Sequence, residues 1–295
     1  MSPGPLREAL EALRRGTDLR ARVAEDPIAF PRRFREPGDI EIAAWLASSL
    51  AYGRVSLFSA ALEKVLEAMG GRPRRFVERL DPVRDLPAFA PLYYRMNRGE
   101  DIACLLYLMQ QVVLRHGSVG GLFRECWRDG DPDVGPALDR FIDRVSAIDT
   151  SPVYGRDRRP YGLAQLLSRP SKGSSCKRLS MFLRWMIRPD DGVDFGLWTF
   201  VPPSKLVVPL DTHVLRISRY LGLTRRRTGG WAAAQAVTRR LAEADPEDPL
   251  KYDFPLCHLG ISGRCPLVRS AVCCRACPLL RRCARGRALA RNRPW

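Results

Sequence analysis

The chain has 295 residues, 45% of them hydrophobic and 27% charged, a globular composition able to bury one large core or two modest ones. Lysine and arginine outnumber aspartate and glutamate 49 to 32, a formal net charge of +17, which favours a polyanionic partner. No stretch approaches the roughly 18 apolar residues that span a bilayer, and Glu8 and Glu11 interrupt the N-terminus, so neither a membrane protein nor a secretory signal is expected. The expectation is a soluble, cytoplasmic chain, associated with the nucleoid if its polyanion is DNA.

Taken in chain order, the apolar spacing is that of helices, with no alternating β-branched run and no repeat at a fixed period, so the fold class is all-α. Asp39 reads as the N-cap of a helix over Ile40 to Leu50, which stops at the break Ala51-Tyr52-Gly53-Arg54. Val55 to Met69 follows, ended by Gly70-Gly71, then Ile102 to His116 with its stop at Gly117, then Leu122 to Trp127 and Pro136 to Ile148. Leu163 to Leu167 and Ser175 to Ile187 flank the interruption Arg169-Pro170-Ser171-Lys172-Gly173, a helix, a hairpin and a helix. Such a corner can aim the unpaired backbone N–H groups of the second helix at a phosphate. Pro202, Pro203 and Pro209 mark a rigid connection to a last helix, Thr212 to Leu221, closed by Gly222.

The arginine excess is clustered at 72–79, 156–159, 225–227 and 281–287, and no acid occurs between Ile261 and Trp295. A codon-driven composition bias would enrich arginine without stripping the tail of acids. That tail also holds Cys265, Cys274, Cys277 and Cys283. Two thiolates two residues apart curl round one centre, and one cysteine on either side completes a four-sulfur cage for a 4Fe-4S cluster or for zinc. Cys273 offers a second register and Cys257 an alternative to Cys265. Cys104, Cys126 and Cys176 stand singly in apolar or helical surroundings and read as core thiols.

Asp211, at the start of the Thr212 helix, reads by itself as an ordinary N-cap. Its context, Leu210-Asp211-Thr212-His213-Val214-Leu215-Arg216 followed by Tyr220-Leu221-Gly222-Leu223, resembles the segment carrying the catalytic aspartate in the helix-hairpin-helix DNA glycosylase superfamily. Endonuclease III and the adenine glycosylase are its nearest named members. The hairpin, the aspartate and the cysteine tail occur here in that superfamily's order. The likeness covers Leu163 to Cys283 with a looser echo at Ser48 to Ser56, and it looks closest to a bacterial branch of conserved proteins of unknown function. Three departures stand out. The eight residues between Cys265 and Cys274 exceed the family's first gap, Ser175 replaces the second hairpin glycine, and Lys177 precedes Asp211 by 34 residues, farther than in the family. An insertion containing Asp194, Trp198 and Lys205 accounts for that excess.

The resemblance implies a two-lobed fold, with residues 38–188 as one helical lobe and 1–37 plus 189–295 as the other, the cysteine segment occupying 255–295. It implies Asp211 as catalytic carboxylate and Lys177 as candidate nucleophile. Lys172, Gly173, Ser174, Ser175, Arg178 and Arg216 become phosphate grips, and Tyr52 and Arg54 wedges filling the gap left by a flipped base. The implied activity is a DNA N-glycosylase, with or without abasic-site lyase chemistry, acting as a monomer on damaged duplex DNA. The alternative is a non-catalytic DNA- or RNA-binding protein that keeps the scaffold and its cluster.

Overall fold

Leu6, Leu10 and Leu13 recur at helical spacing and form the buried stripe of α1 (Pro5–Arg15), which is followed by α2 (Leu19–Ala24). The computed structural model describes residues 4–290, and it is all-α apart from one two-stranded hairpin. In α3 (Pro37–Leu50) every residue from Ile40 to Leu50 is buried, as expected of a helix hydrophobic on all sides. Asp39 does not cap this helix. Pro37 begins it, its fixed φ suiting the first turn, and the Asp39 carboxylate accepts instead from the Arg74 backbone N–H at 2.8 Å, at the neighbouring helix start.

Next come α4 (Val55–Ala68), α5 (Pro73–Arg79) and the single turn α6 (Pro82–Asp85). Strands β1 (Tyr93–Tyr94) and β2 (Asn97–Arg98) pair antiparallel, Tyr93 opposite Arg98 and Tyr94 opposite Asn97. α7 (Gly99–His116) ends at Gly117, whose φ of +75° suits a residue with no Cβ. α8 (Val119–Cys126), α9 (Gly135–Ser146), the turn α10 (Ser151–Tyr154), α11 (Tyr161–Leu166) and α12 (Lys177–Ile187) complete the first two-thirds of the chain. α12 starts two residues later than the sequence suggests, because Cys176 adopts a left-handed φ of +46°. After an irregular stretch come α13 (Thr212–Tyr220), α14 (Trp231–Ala242), α15 (Asp253–Ile261), α16 (Ala271–Arg275) and α17 (Ala284–Ala290).

The buried side chains form one connected core from Leu6 to Leu279. At its centre the indole of Trp45 on α3 lies 5.4 Å from the Phe141 ring and 6.3 Å from that of Phe182 on α12. α3 packs along α12, α13 along α15, and α1 against α15, so the start of the chain closes on its end. The 188–211 stretch crosses between these groups and is pinned at three points. Asp194 is fully buried between Arg184 and Arg188, the Trp198 Nε1–H donates to Glu41 at 2.7 Å, and the Lys205 ammonium donates to the Asp131 carbonyl at 2.9 Å. Trp185 and Trp198 are both core residues. Cys104, Cys126 and Cys176 are buried, and burial pushes the Cys104 thiol up to about 12. Among the described residues no helix is long and apolar enough to cross a membrane.

Candidate active site

The side chain of Asp211 does two things. One oxygen accepts the Val214 N–H at 2.7 Å and caps α13, while the other faces a cleft of about 1240 Å³. α13 and α15 approach closely because residue 260 is glycine. A Cβ there would stand 2.6 Å from the Cβ of His213. On α15, Asp253, Cys257 and Ile261 fall four residues apart, hence on one face, and all three line the cleft. The Cys257 sulfur lies 3.6 Å from the free oxygen of Asp211. Burial pushes this thiol well up and the Asp211 carboxylate adds to the effect, so at neutral pH it is an S–H donor to that oxygen.

The opposite wall is α12, whose Lys177, Met181 and Arg184 share one helical face and all line the cleft. Lys177 Nζ lies 3.9 Å from the same Asp211 oxygen, the lysine side chain 32% exposed and the carboxylate 13%. The structure thus brings together the two residues proposed for catalysis despite the 34 positions between them. Below them Arg184 holds Asp253 at 2.6 Å and Asp194 at 3.2 Å, and Arg188 binds Asp194 and, at 2.8 Å, Asp248. Burial pushes the Asp253 carboxyl up to about 6, with Arg184 opposing it. One Asp253 oxygen has no hydrogen-bond partner among the described protein groups. His258 is buried in the same corner, its Nε2 3.1 Å from Asp26, and is no part of the cysteine tail's surroundings.

The expected phosphate grips and wedges divide by position. Gly173, Ser174 and Ser175 line the cleft, with Gly173 at a φ of +77°, and Lys172 stands exposed on the turn beside them. Arg54 is exposed on the cleft rim. Tyr52, read as a wedge, is instead part of the wall. Its hydroxyl is held by Asn97 Oδ1 at 2.5 Å and the Tyr94 carbonyl at 3.1 Å, and the Tyr94 hydroxyl donates back to the Tyr52 carbonyl. Arg178, read as a grip, turns inward. Its guanidinium donates to the carbonyls of Ser49 at 3.1 Å and of Gln165, and lies over the Tyr52 ring. Arg178 nevertheless lines the cleft, whereas Arg216 lies outside it, donating to Cys265 Sγ at 3.6 Å and to the Pro266 carbonyl at 3.2 Å.

Cys265, Cys274, Cys277 and Cys283, with Cys273 beside them, line one small cavity behind α13. Burial pushes the Cys265 and Cys277 thiols up, and each senses the charge of Cys274 and Cys283 through space. Arg216, Arg264, Arg269 and Arg285 surround the cavity. Among the described residues no three His, Cys, Asp or Glu side chains meet tightly enough to hold a single metal ion. Cys257, the alternative to Cys265, does not line this cavity and lies in the cleft beside Asp211.

Sequence reading weighed Cys257 only as a metal ligand and overlooked Asp253, Asn97 and Gln165. An available signal was the four-residue spacing of Asp253, Cys257 and Ile261 within an otherwise apolar segment. Asn97 and Gln165 carried none, because they meet only through the tertiary fold, at 2.7 Å.

The fold and its site define an all-α protein with a lysine and a carboxylate facing each other in one large cleft, and a cysteine-lined cavity behind the carboxylate's helix. The chain belongs to the DUF2400 family, described as "Protein of unknown function", which it matches over residues 26–262. That span contains the whole floor of the cleft and ends before Cys265. No curated protein and no solved structure matches the chain.

Proposed function

We propose that this protein is a base-excision DNA glycosylase with abasic-site lyase activity, acting on a nucleotide rotated out of duplex DNA into the cleft. The observation that carries the reading is the 3.9 Å approach of Lys177 Nζ to the free oxygen of Asp211. Breaking a glycosidic bond builds positive charge on the sugar, and a fixed carboxylate beside C1′ stabilises it. Lys177, once its amine is neutral, attacks C1′. The C1′–N bond breaks, its electron pair leaves with the base, and the base takes up a proton. Ring opening then gives an iminium between Lys177 and the sugar. Loss of a C2′ proton expels the 3′ phosphate and nicks the strand. Asp211 is suited to orient and steady these charges because its other oxygen is immobilised by the Val214 N–H and the Cys257 thiol limits its rotation.

The hairpin at Gly173, with exposed Lys172, offers backbone donors and charge to the flanking phosphates, and exposed Arg54 is the better placed residue to fill the gap left by the flipped base. The cysteine cavity supports a 4Fe-4S cluster in preference to zinc. Four thiols and a ring of arginines suit an anionic, thiolate-ligated cluster, whose ligands stand farther apart than those of one zinc ion. Cys265, Cys274, Cys277 and Cys283 would hold it, and its role there is to hold the tail against α13.

The deciding test compares strand nicking on an abasic duplex and base release on a lesion panel for the wild type, Asp211→Asn and Lys177→Ala. Borohydride trapping of a covalent protein–DNA adduct in the wild type, absent in Lys177→Ala, is expected. An Asp211→Asn loss of at least about 100-fold is expected in parallel. Wild-type protein that binds DNA without chemistry on any of these substrates would point to the non-catalytic binding protein.

A further inference from the structure

The loop that leads to the cleft at Gly229 carries a cationic element that the chemistry above does not use. The loop between α13 and α14 contains Arg225, Arg226 and Arg227, all exposed. Among the described residues, none of the three side chains has a hydrogen bond or an ion pair within the protein. Several other arginines are neutralised in place: Arg33 by Glu63, Arg74 by Glu78, Arg169 by Asp143. Three adjacent guanidiniums without a counter-charge repel one another, and a polyanion relieves that repulsion by supplying the missing charge.

The loop's position says where that polyanion runs. At its start the buried Thr224 hydroxyl accepts the Arg226 N–H at 3.2 Å. At its end Trp231, itself 9% exposed, donates its backbone N–H to the Gly173 carbonyl at 3.3 Å. Gly230 allows this closeness, since a Cβ there would stand 2.9 Å from the same carbonyl oxygen. Gly229 lines the cleft together with Gly173, Ser174 and Ser175. The loop that carries the arginine triplet is therefore tied to the hairpin through Gly230 and Trp231, and its Gly229 reaches the cleft that holds Lys177 and Asp211.

We propose that the Arg225–Arg227 loop grips the phosphodiester backbone of duplex DNA alongside the cleft, extending the hold of the Gly173 hairpin by two or three phosphates. The inference rests on the DNA reading above and deepens it. Guanidinium forks match phosphate oxygens in pairs. Such contacts position the duplex without reading its sequence.

The test measures the affinity of the full-length protein for an undamaged duplex across a salt series. It compares the wild type, an Arg225→Ala/Arg226→Ala/Arg227→Ala variant, and an equally discharged control, Arg20→Ala/Arg115→Ala/Arg128→Ala, whose exposed arginines lie on α2, on α7 and just after α8. The loop variant is expected to lose about 2–3 units of slope in log K against log salt, at roughly 0.9 per phosphate released, with the same loss on unrelated sequences. The control is expected to change the slope by less than about one unit. Equal losses in both variants would reduce the loop to a share of the general field and overturn the grip. An unchanged loop variant beside a wild type that binds duplex would overturn the grip and leave the reading of the cleft standing. A wild type with no duplex affinity even at low salt would remove both. A loop variant that loses affinity only for structured RNA would overturn the commitment to duplex DNA.

Discussion

Asp211 serves as helix cap and as site carboxylate at once, one oxygen for each task, and the residues packed beneath it explain how that orientation is kept. Arg184, Asp194 and Asp253 are each less than 5% exposed in their side chains, and Arg184 with Arg188 pairs the two carboxylates. Breaking a buried pair by removing one partner leaves an uncompensated charge. Asp194→Ala should therefore lower stability by about 3–5 kcal/mol, read as a fall in urea midpoint at unchanged slope. Cys257 illustrates the same economy of environment. Because burial and Asp211 keep it protonated, it should resist iodoacetamide in the native protein at pH 7.5 and react fully once urea exposes it, as peptide mass spectrometry would record. Rapid native alkylation would show that the thiol does not face Asp211 as described.

At the level of elements, α1 is held to the C-terminal half by more than its leucines. Lys251 reaches Glu11 on α1 at 2.8 Å and Asp245 beyond α14 at 2.5 Å. Burial pushes both carboxyls up, but the hydrogen bonds and charge of Lys251, joined by Tyr252 and Arg14 at Glu11 and by the Glu247 and Asp248 backbone N–H groups at Asp245, together outweigh it and leave each below its ordinary value. The sign follows: this contribution is complete above the unfolded values of about 4.3 for Glu and 3.9 for Asp, and it disappears as the pH falls through the lower folded ones. Lys251→Met should cost about 1–3 kcal/mol at pH 7 and progressively less below pH 4, in parallel urea titrations of mutant and wild type. A constant difference across that range would exclude the ionic contribution. The helices most legible in the sequence were those with an unbroken apolar spacing, such as α3, α7 and α13. The β1–β2 hairpin, with two residues in each strand, has no period to detect. Asp39 misled because a carboxylate near a helix start satisfies the same capping rule whichever helix it serves.

For the whole molecule, the closeness in space of Lys177 and Asp211 was the feature least readable from the residues. They meet because the stretch from 188 to 211 is anchored to three other parts of the core, through Asp194, Trp198 and Lys205, and returns the chain to its starting wall. The charge pattern was legible as an arginine excess, but its division was not. Arg178 and Arg216 lie among arginines of the same appearance, and only packing turned the first inward and the second toward the cysteines. If the tail is held by a cluster, anaerobically purified protein should contain about four irons and show a broad absorbance near 400 nm. Cys277→Ala should lose both while the 26–262 body stays folded, as far-UV circular dichroism would report. Full iron content in that variant would exclude Cys277 as a ligand.

The closure of α1 upon α15 also bears on how the chain comes into being. During synthesis α1 meets a principal neighbour only after roughly 240 further residues, which at about 5–20 residues per second amounts to roughly 12–50 s. During that interval Leu6, Leu10 and Leu13 have no α15 to cover them, and the nascent protein presents a short amphipathic helix to whatever chaperone stands at the exit.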